Sequence, residues 1–227
     1  MRFYQLDYSN DLKIVGSQYP QVWDFVKGYS PENDDNGVFS LYYENNPLFP
    51  PTDPDLSGFK LANGAHYTDF LSHGFSPDMF FLSENAKKFL ENQNIESHRF
   101  YKGKVTSLRK KRVEAYYVMK LVSENWRYVD YPNSKFYVEN TENDAIVPIE
   151  FNSCNDFIQK SKQLKNNDDV LYLIFSDAIK MTEAFYQKNL DMFMIDEFNR
   201  NWFVSERFVD DYYKNKFTGL DFKSVDI

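Results

Sequence analysis

The chain has one cysteine, Cys154, among 227 residues. No internal disulfide is therefore possible, and a secreted disulfide scaffold is excluded. It has three histidines, His66, His73 and His98. Zinc sites need tighter clusters of His and Cys, so no metal is expected. Eight glycines supply phosphate cradles poorly. There is no Gly-x-x-x-x-Gly-Lys loop, no Gly-x-Gly-x-x-Gly and no Gly-x-Ser-x-Gly elbow, so no nucleotide cofactor is expected. No run approaches the roughly 18 apolar residues of a spanning helix. Residues 1–20 lack a basic stretch followed by an apolar one, the pattern of a secretion signal. The expectation is a cytoplasmic chain with no membrane partner.

The acids offer no catalytic pattern either. Asp34-Asp35, Asp168-Asp169 and Asp210-Asp211 read as solvated turns or helix faces, and nothing favours a hydrolytic dyad. Cys154 has no histidine near it in sequence and reads as a small buried side chain. No catalytic residue is identified, and the chain is read as not an enzyme.

What is abundant is aromatic. Phe, Tyr and Trp make up 19% of the chain, with 22 Phe and 17 Tyr. This favours strand-rich packing and an adhesive binding surface. The net charge is −8, unevenly spread: residues 1–100 carry 7 Lys and Arg against 14 Asp and Glu. Such a surface repels phosphate, so nucleic acid is not an expected partner. It attracts and steers a basic protein. One basic run, Arg99, Lys102, Lys104 and Arg109 to Arg112, reads as a solvated strand pair and its turn.

Two stretches say nearly the same thing. Phe80-Phe81-Leu82-Ser83-Glu84-Asn85-Ala86 is echoed by Trp202-Phe203-Val204-Ser205-Glu206-Arg207-Phe208, at an offset of 122 residues. Leu90 falls on Tyr212, Ile95 on Phe217 and Phe100 on Phe222. Each copy predicts a strand, a helix N-cap at Ser83 or Ser205, an acid in the first turn at Glu84 or Glu206, an amphipathic helix and a closing strand. Gly219 suits the turn into the last strand. These residues are expected to be structural, and loss of the Ser205 cap to cost about 1 kcal/mol.

Elsewhere the alternation predicts strands at Arg2–Asp7, Leu12–Val15, Val38–Tyr43, Glu114–Val122, Trp126–Tyr131, Lys135–Glu139, Ala145–Phe151 and Val170–Phe175, with a helix at Asn155–Leu164. Asn45 to Gly58 holds four prolines and reads as an extended surface loop. The fold class is α+β, strand-rich and mostly antiparallel, with a duplicated strand–helix–strand unit at 80–101 and 202–223. A soft boundary near 107–113 divides it into an N-terminal half, 1–110, and a C-terminal half, 111–227. One continuous domain fits equally well.

The second copy, with Phe217-Thr218-Gly219-Leu220-Asp221-Phe222-Lys223 after it, resembles the closing signature of family eleven of the bacterial polymorphic-toxin immunity proteins. Asp191-Met192-Phe193 fits upstream of it, and Tyr67-Thr68-Asp69-Phe70-Leu71-Ser72 with Leu82-Ser83-Glu84 resembles the family's middle region. The first copy departs from the pattern, with Asn85 in place of Arg and Glu96-Ser97 in place of Thr-Gly. The resemblance covers roughly residues 60–105 and 185–227. It implies a non-enzymatic inhibitor that binds and neutralises one cognate toxin, with a basic nuclease as a candidate. Asp34, Asp35, Tyr42, Tyr43 and Glu44 are the candidate acidic, aromatic docking surface. A scaffold module with another partner, or an enzyme of unrecognised type, are the alternatives. The sequence leaves the oligomeric state open.

Overall fold

The computed structural model describes residues 2–32, 37–42, 48–141, 144–165, 172–195 and 198–227. The elements run β1 (Phe3–Tyr8), α1 (Leu12–Val15), β2 (Val22–Phe25), β3 (Leu56–Leu61), β4 (Phe70–Leu71), β5 (Met79–Leu82), α2 (Glu84–Leu90), β6 (His98–Ser107), β7 (Arg112–Leu121), β8 (Lys135–Asn140), β9 (Ala145–Ile149), α3 (Cys154–Lys165), β10 (Tyr172–Ala178), α4 (Glu183–Tyr186), β11 (Met192–Ile195), β12 (Asn199–Ser205), α5 (Glu206–Lys214) and β13 (Leu220–Val225). They form sheets of order β2-β3-β6-β7-β5-β4, β11-β12-β1-β13 and β10-β8-β9. The β3–β6 pair is parallel and the other ladders are antiparallel. The fold is α+β, as the sequence predicts.

The repeat is physical. In β4–β5, Phe70 pairs with Leu82; in β11–β12, Met192 pairs with Val204. Both members of the pair are shifted by 122 residues, so the register is the same. Each pair is followed by a capped helix and a return strand, β6 or β13. A further strand lies between the return strand and the hairpin: β7 in the first unit and β1 in the second. In the first unit this inserted strand follows its return strand in sequence. In the second it comes from the other end of the chain.

Burial explains why the units face each other. Strand side chains alternate between faces, so Phe80, Leu82, Trp202 and Val204 point one way and Phe81 and Phe203 the other. The first set meets α2 and α5 in a shared central core with Leu90, Met119, Phe208 and Tyr212. Phe80 and Trp202, equivalent in the repeat, stack edge-on with ring centroids 4.4 Å apart. Phe81 faces a second core with Phe59, Tyr101 and Val118, and Phe203 a third with Phe3, Phe136, Phe157 and Phe193. The aromatic excess is largely consumed here, in edge and offset ring contacts favoured by the ring quadrupole.

Three strand expectations are corrected. Leu12–Val15 is a short helix, not a strand, because the Asp11 carboxylate caps it by accepting from the Lys13 N–H at 2.9 Å. Val38–Leu41 is a 3-10 turn, not a strand. The spacing of three buries Val38 and Leu41 together, and the Leu41 carbonyl is taken by Lys120 rather than by a ladder. Trp126–Tyr131 gives 3-10 turns at Asn125–Tyr128 and Tyr131–Asn133, held by the Tyr131 hydroxyl donating to the Trp126 carbonyl at 2.9 Å. The soft boundary at 107–113 falls on the tip of the β6–β7 hairpin, whose ladder runs unbroken from His98↔Leu121 to Ser107↔Arg112.

Candidate functional site

Each repeat unit carries a serine that does two things at once. The Ser83 hydroxyl accepts from the Ala86 N–H at 3.1 Å and donates to Asp69 at 2.8 Å. The Ser205 hydroxyl accepts from the Phe208 N–H at 3.2 Å and donates to Asp191 at 2.8 Å. The two aspartates then reach across. Asp69 accepts from the backbone N–H of Thr218, in the turn after the second unit's helix, at 3.1 Å. Asp191 accepts from the backbone N–H of Asn94, in the turn after the first unit's helix, at 2.8 Å. Each unit thus clasps the other's turn. Asp191 is also bound by Arg207. Burial opposes its charge, but Arg207, the Asn94 N–H and the Ser205 hydroxyl outweigh burial and hold its carboxyl below the usual range.

Glu84 forms an exposed pair with Lys88 at 2.9 Å, and Glu206 one with Arg2 at 3.1 Å. Gly219 has φ +108°, and a Cβ there would stand 2.0 Å from the Phe70 carbonyl oxygen. This is a close approach that only glycine tolerates. All these groups are engaged within the chain itself. Of the expected docking surface, Asp34, Asp35, Tyr43 and Glu44 lie outside the described residues. Tyr42 is half-buried, its ring centroid 5.0 Å from that of Phe39 against the second core.

The groove between the units is different. Its volume is about 820 Å³, and it opens where β1 ends. Phe80, Trp202, Leu6 and Met79 form its floor, His73 and Phe75 one wall, and Leu12 and Tyr19 the rim. Leu12 is 65% exposed, Tyr19 53% and nearby Trp23 58%. Trp23 stands near this wall: a Cβ on Gly74, between His73 and Phe75, would lie 3.5 Å from the Trp23 Cβ. Among the described residues no Lys or Arg lines the groove, but Asp7 and Asp221 do. These two residues are direct register partners on β1 and β13. Like charges placed opposite each other on neighbouring strands are destabilising. Among the described residues neither carboxylate has an ion-pair partner. The hydroxyl of Tyr8, which also lines the groove, is buried without a hydrogen-bond partner. Burial pushes its pKa well up, with Tyr19 adding to the effect, so it stays a protonated donor.

His73 accepts from the Phe75 N–H at Nδ1, at 3.2 Å, which leaves Nε2–H to donate to the Met79 carbonyl at 2.9 Å. Both ring nitrogens are engaged, and burial lowers its pKa to about 4. Among the described residues no three His, Cys, Asp or Glu side chains come together as metal ligands. Cys154 packs against the third core. Among the described residues no helix is long and apolar enough to cross a membrane.

Sequence reasoning missed the clasping aspartates, although the offset of 122 residues maps Asp69 onto Asp191. It also missed the Asp7–Asp221 pair, which only strand register reveals.

The structure is a duplicated α+β body, clasped by the reciprocal carboxylates Asp69 and Asp191 and open at an acidic, aromatic groove. The model of the immunity protein family Imm11 matches residues 16–226, nearly the whole chain, and the chain belongs to that family. No curated protein shows a significant match to it.

Proposed function

We propose that this chain binds one cognate toxin protein and blocks it by occlusion, with no chemistry of its own. Membership of the immunity family over residues 16–226 carries this reading. The net charge of −8 and the open groove support it. An acidic surface speeds capture of a basic partner and disfavours partners of like charge, so a basic nuclease is the toxin class proposed. The setting proposed is the cytoplasm of a bacterium carrying a polymorphic-toxin system, where the toxin acts. The acidic segment around Asp34, Asp35 and Glu44 adds to the same attraction.

The test is cell survival. The product of the reading frame immediately upstream is expressed with and without this chain. Rescue from killing is the expected result. Equal killing in both cultures, with both proteins present at comparable levels, would remove the reading for that pair.

A further inference from the structure

The two repeat units share a register, so equivalent positions are compared directly. In the first unit a cross-strand row runs Met79, Lys120, Arg99. Shifting Met79 and Arg99 by 122 residues gives Asn201 and Asp221. The inserted strand places Asp7 where the first unit has Lys120, because Leu6 pairs with Trp202 and Phe222 as Met119 pairs with Phe80 and Phe100. The first unit therefore has two cations in this row, and the second has two anions.

The first row is closed by the chain's own N-terminal half. The fully buried Lys120 ammonium donates to the Leu41 carbonyl at 2.6 Å and lies 4.0 Å from the Asp78 carboxylate. Arg99 pairs with Asp53 at 2.8 Å. A chain segment thus lies against a charged row with oxygens supplied to both cations. Asp7 and Asp221 are both exposed, and no described segment covers them in the same way.

We infer that the Asp7–Asp221 row receives a lysine- or arginine-bearing segment of the toxin, as the matching row receives the chain's own Leu41 and Asp53. This rests on the toxin-binding reading above and deepens it. A cation between the two carboxylates removes their mutual repulsion. Tyr19, in the groove's lining and half exposed, is an aromatic side chain of the kind that anchors interfaces. The aromatic walls add cation–π attraction for the same charge. A phosphate-bearing partner would be repelled.

The experiment is titration calorimetry of the purified upstream product against wild type, the Asp7→Asn/Asp221→Asn double variant, Tyr19→Ala, and Asp34→Lys/Asp35→Lys. Thermal melts establish that each variant is folded. We expect the groove double variant to bind roughly thirtyfold or more weakly, and Tyr19→Ala roughly tenfold. The salt dependence of wild-type binding should shrink in the double variant. Wild-type affinity in both groove variants, with wild type still binding and rescuing, would overturn the inference and leave the immunity reading standing. Failure of wild type itself to bind would take down both. A loss confined to Asp34→Lys/Asp35→Lys would move the docking surface to that segment and overturn the groove.

Discussion

In the first repeat unit the row of Met79, Lys120 and Arg99 is positive and closed; in the second Asp7 and Asp221 make the row negative, and among the described residues both are exposed without an ion-pair partner. The framework of the unit is shared. Both have the strand register, the serine cap, the aspartate behind it and the aromatic at the central seam. What differs is the charge at the sheet end and whether the chain covers it. Residues common to the copies specify the scaffold, and residues that break the repeat mark where the copies have diverged in task. A surface carboxylate pair that weakens its own sheet is explained by binding better than by stability, since functional sites are where local rules are broken.

The largest expected effect tests closure in the first unit. Lys120→Met keeps the length and apolar stem of the side chain but removes its donor to Leu41 and its charge opposite Asp78. The Asp78 carboxylate already has one oxygen without a hydrogen bond, so it would be left as an uncompensated buried charge. Burial lowers the Lys120 pKa while Asp78 raises it, so the pair is mutually dependent. The expected loss is about 3 kcal/mol, read as a lower denaturant midpoint. Protease should also cut more readily near Leu41, which loses its anchor. An unchanged midpoint would mean that Lys120 does not hold the segment, and the contrast between the rows would lose its closed member.

A smaller effect compares the two clasps. Asp191 is buried and bound by Arg207, Ser205 and the Asn94 backbone. Asp69 is half-buried and bound by Ser83 and Thr218. Asp191→Asn should cost about 2 kcal/mol and Asp69→Asn about 1 kcal/mol, because hydrogen bonds to charged groups are worth more when buried and ion-paired. The sign with pH follows from the depressed Asp191 carboxyl. Its contribution is fully present above the unfolded carboxyl value of about 3.9 and is lost as pH falls through the lower folded value. The gap between wild type and Asp191→Asn should therefore narrow on acidification, measured by urea midpoints from neutral pH downward. A gap that widened would contradict the assignment of a charged Asp191 at neutral pH.

Legibility follows how local the cause is. Ser83 and Ser205 were readable as caps because capping needs only the next three residues. Phe80–Leu82 and the helix stripes were readable from alternation and periodicity. Leu12–Val15 was misread because a run of Leu, Ile and Val looks like strand, whereas the deciding group was the Asp11 carboxylate. Val38–Leu41 was misread because its partner, Lys120, is 79 residues from Leu41. Lys120 itself interrupts an apolar strand at a core-facing position, which was a signal of a buried charge left unread. The Asp7–Asp221 row was beyond reach, because nothing local in either strand announces that the first strand of the chain pairs with the last.

The smallest effect has the opposite sign from the others. Asp7 is exposed, faces Asp221 across the β1–β13 ladder, and has no ion-pair partner among the described residues. Asp7→Asn removes one of two like charges and keeps the side-chain shape. Cross-strand pairs are worth a few tenths of a kcal/mol, so the free protein should gain about 0.3 kcal/mol, with the gain shrinking as salt screens the repulsion. Thermal melts at low and high salt measure both. In the first unit Arg99→Gln, at the position equivalent to Asp221, breaks an exposed pair with Asp53 and should lose a similar small amount. Opposite signs in the two rows would show that one is satisfied within the chain and the other is not. A loss of stability in Asp7→Asn would instead mean that the carboxylate already has a partner in the free protein.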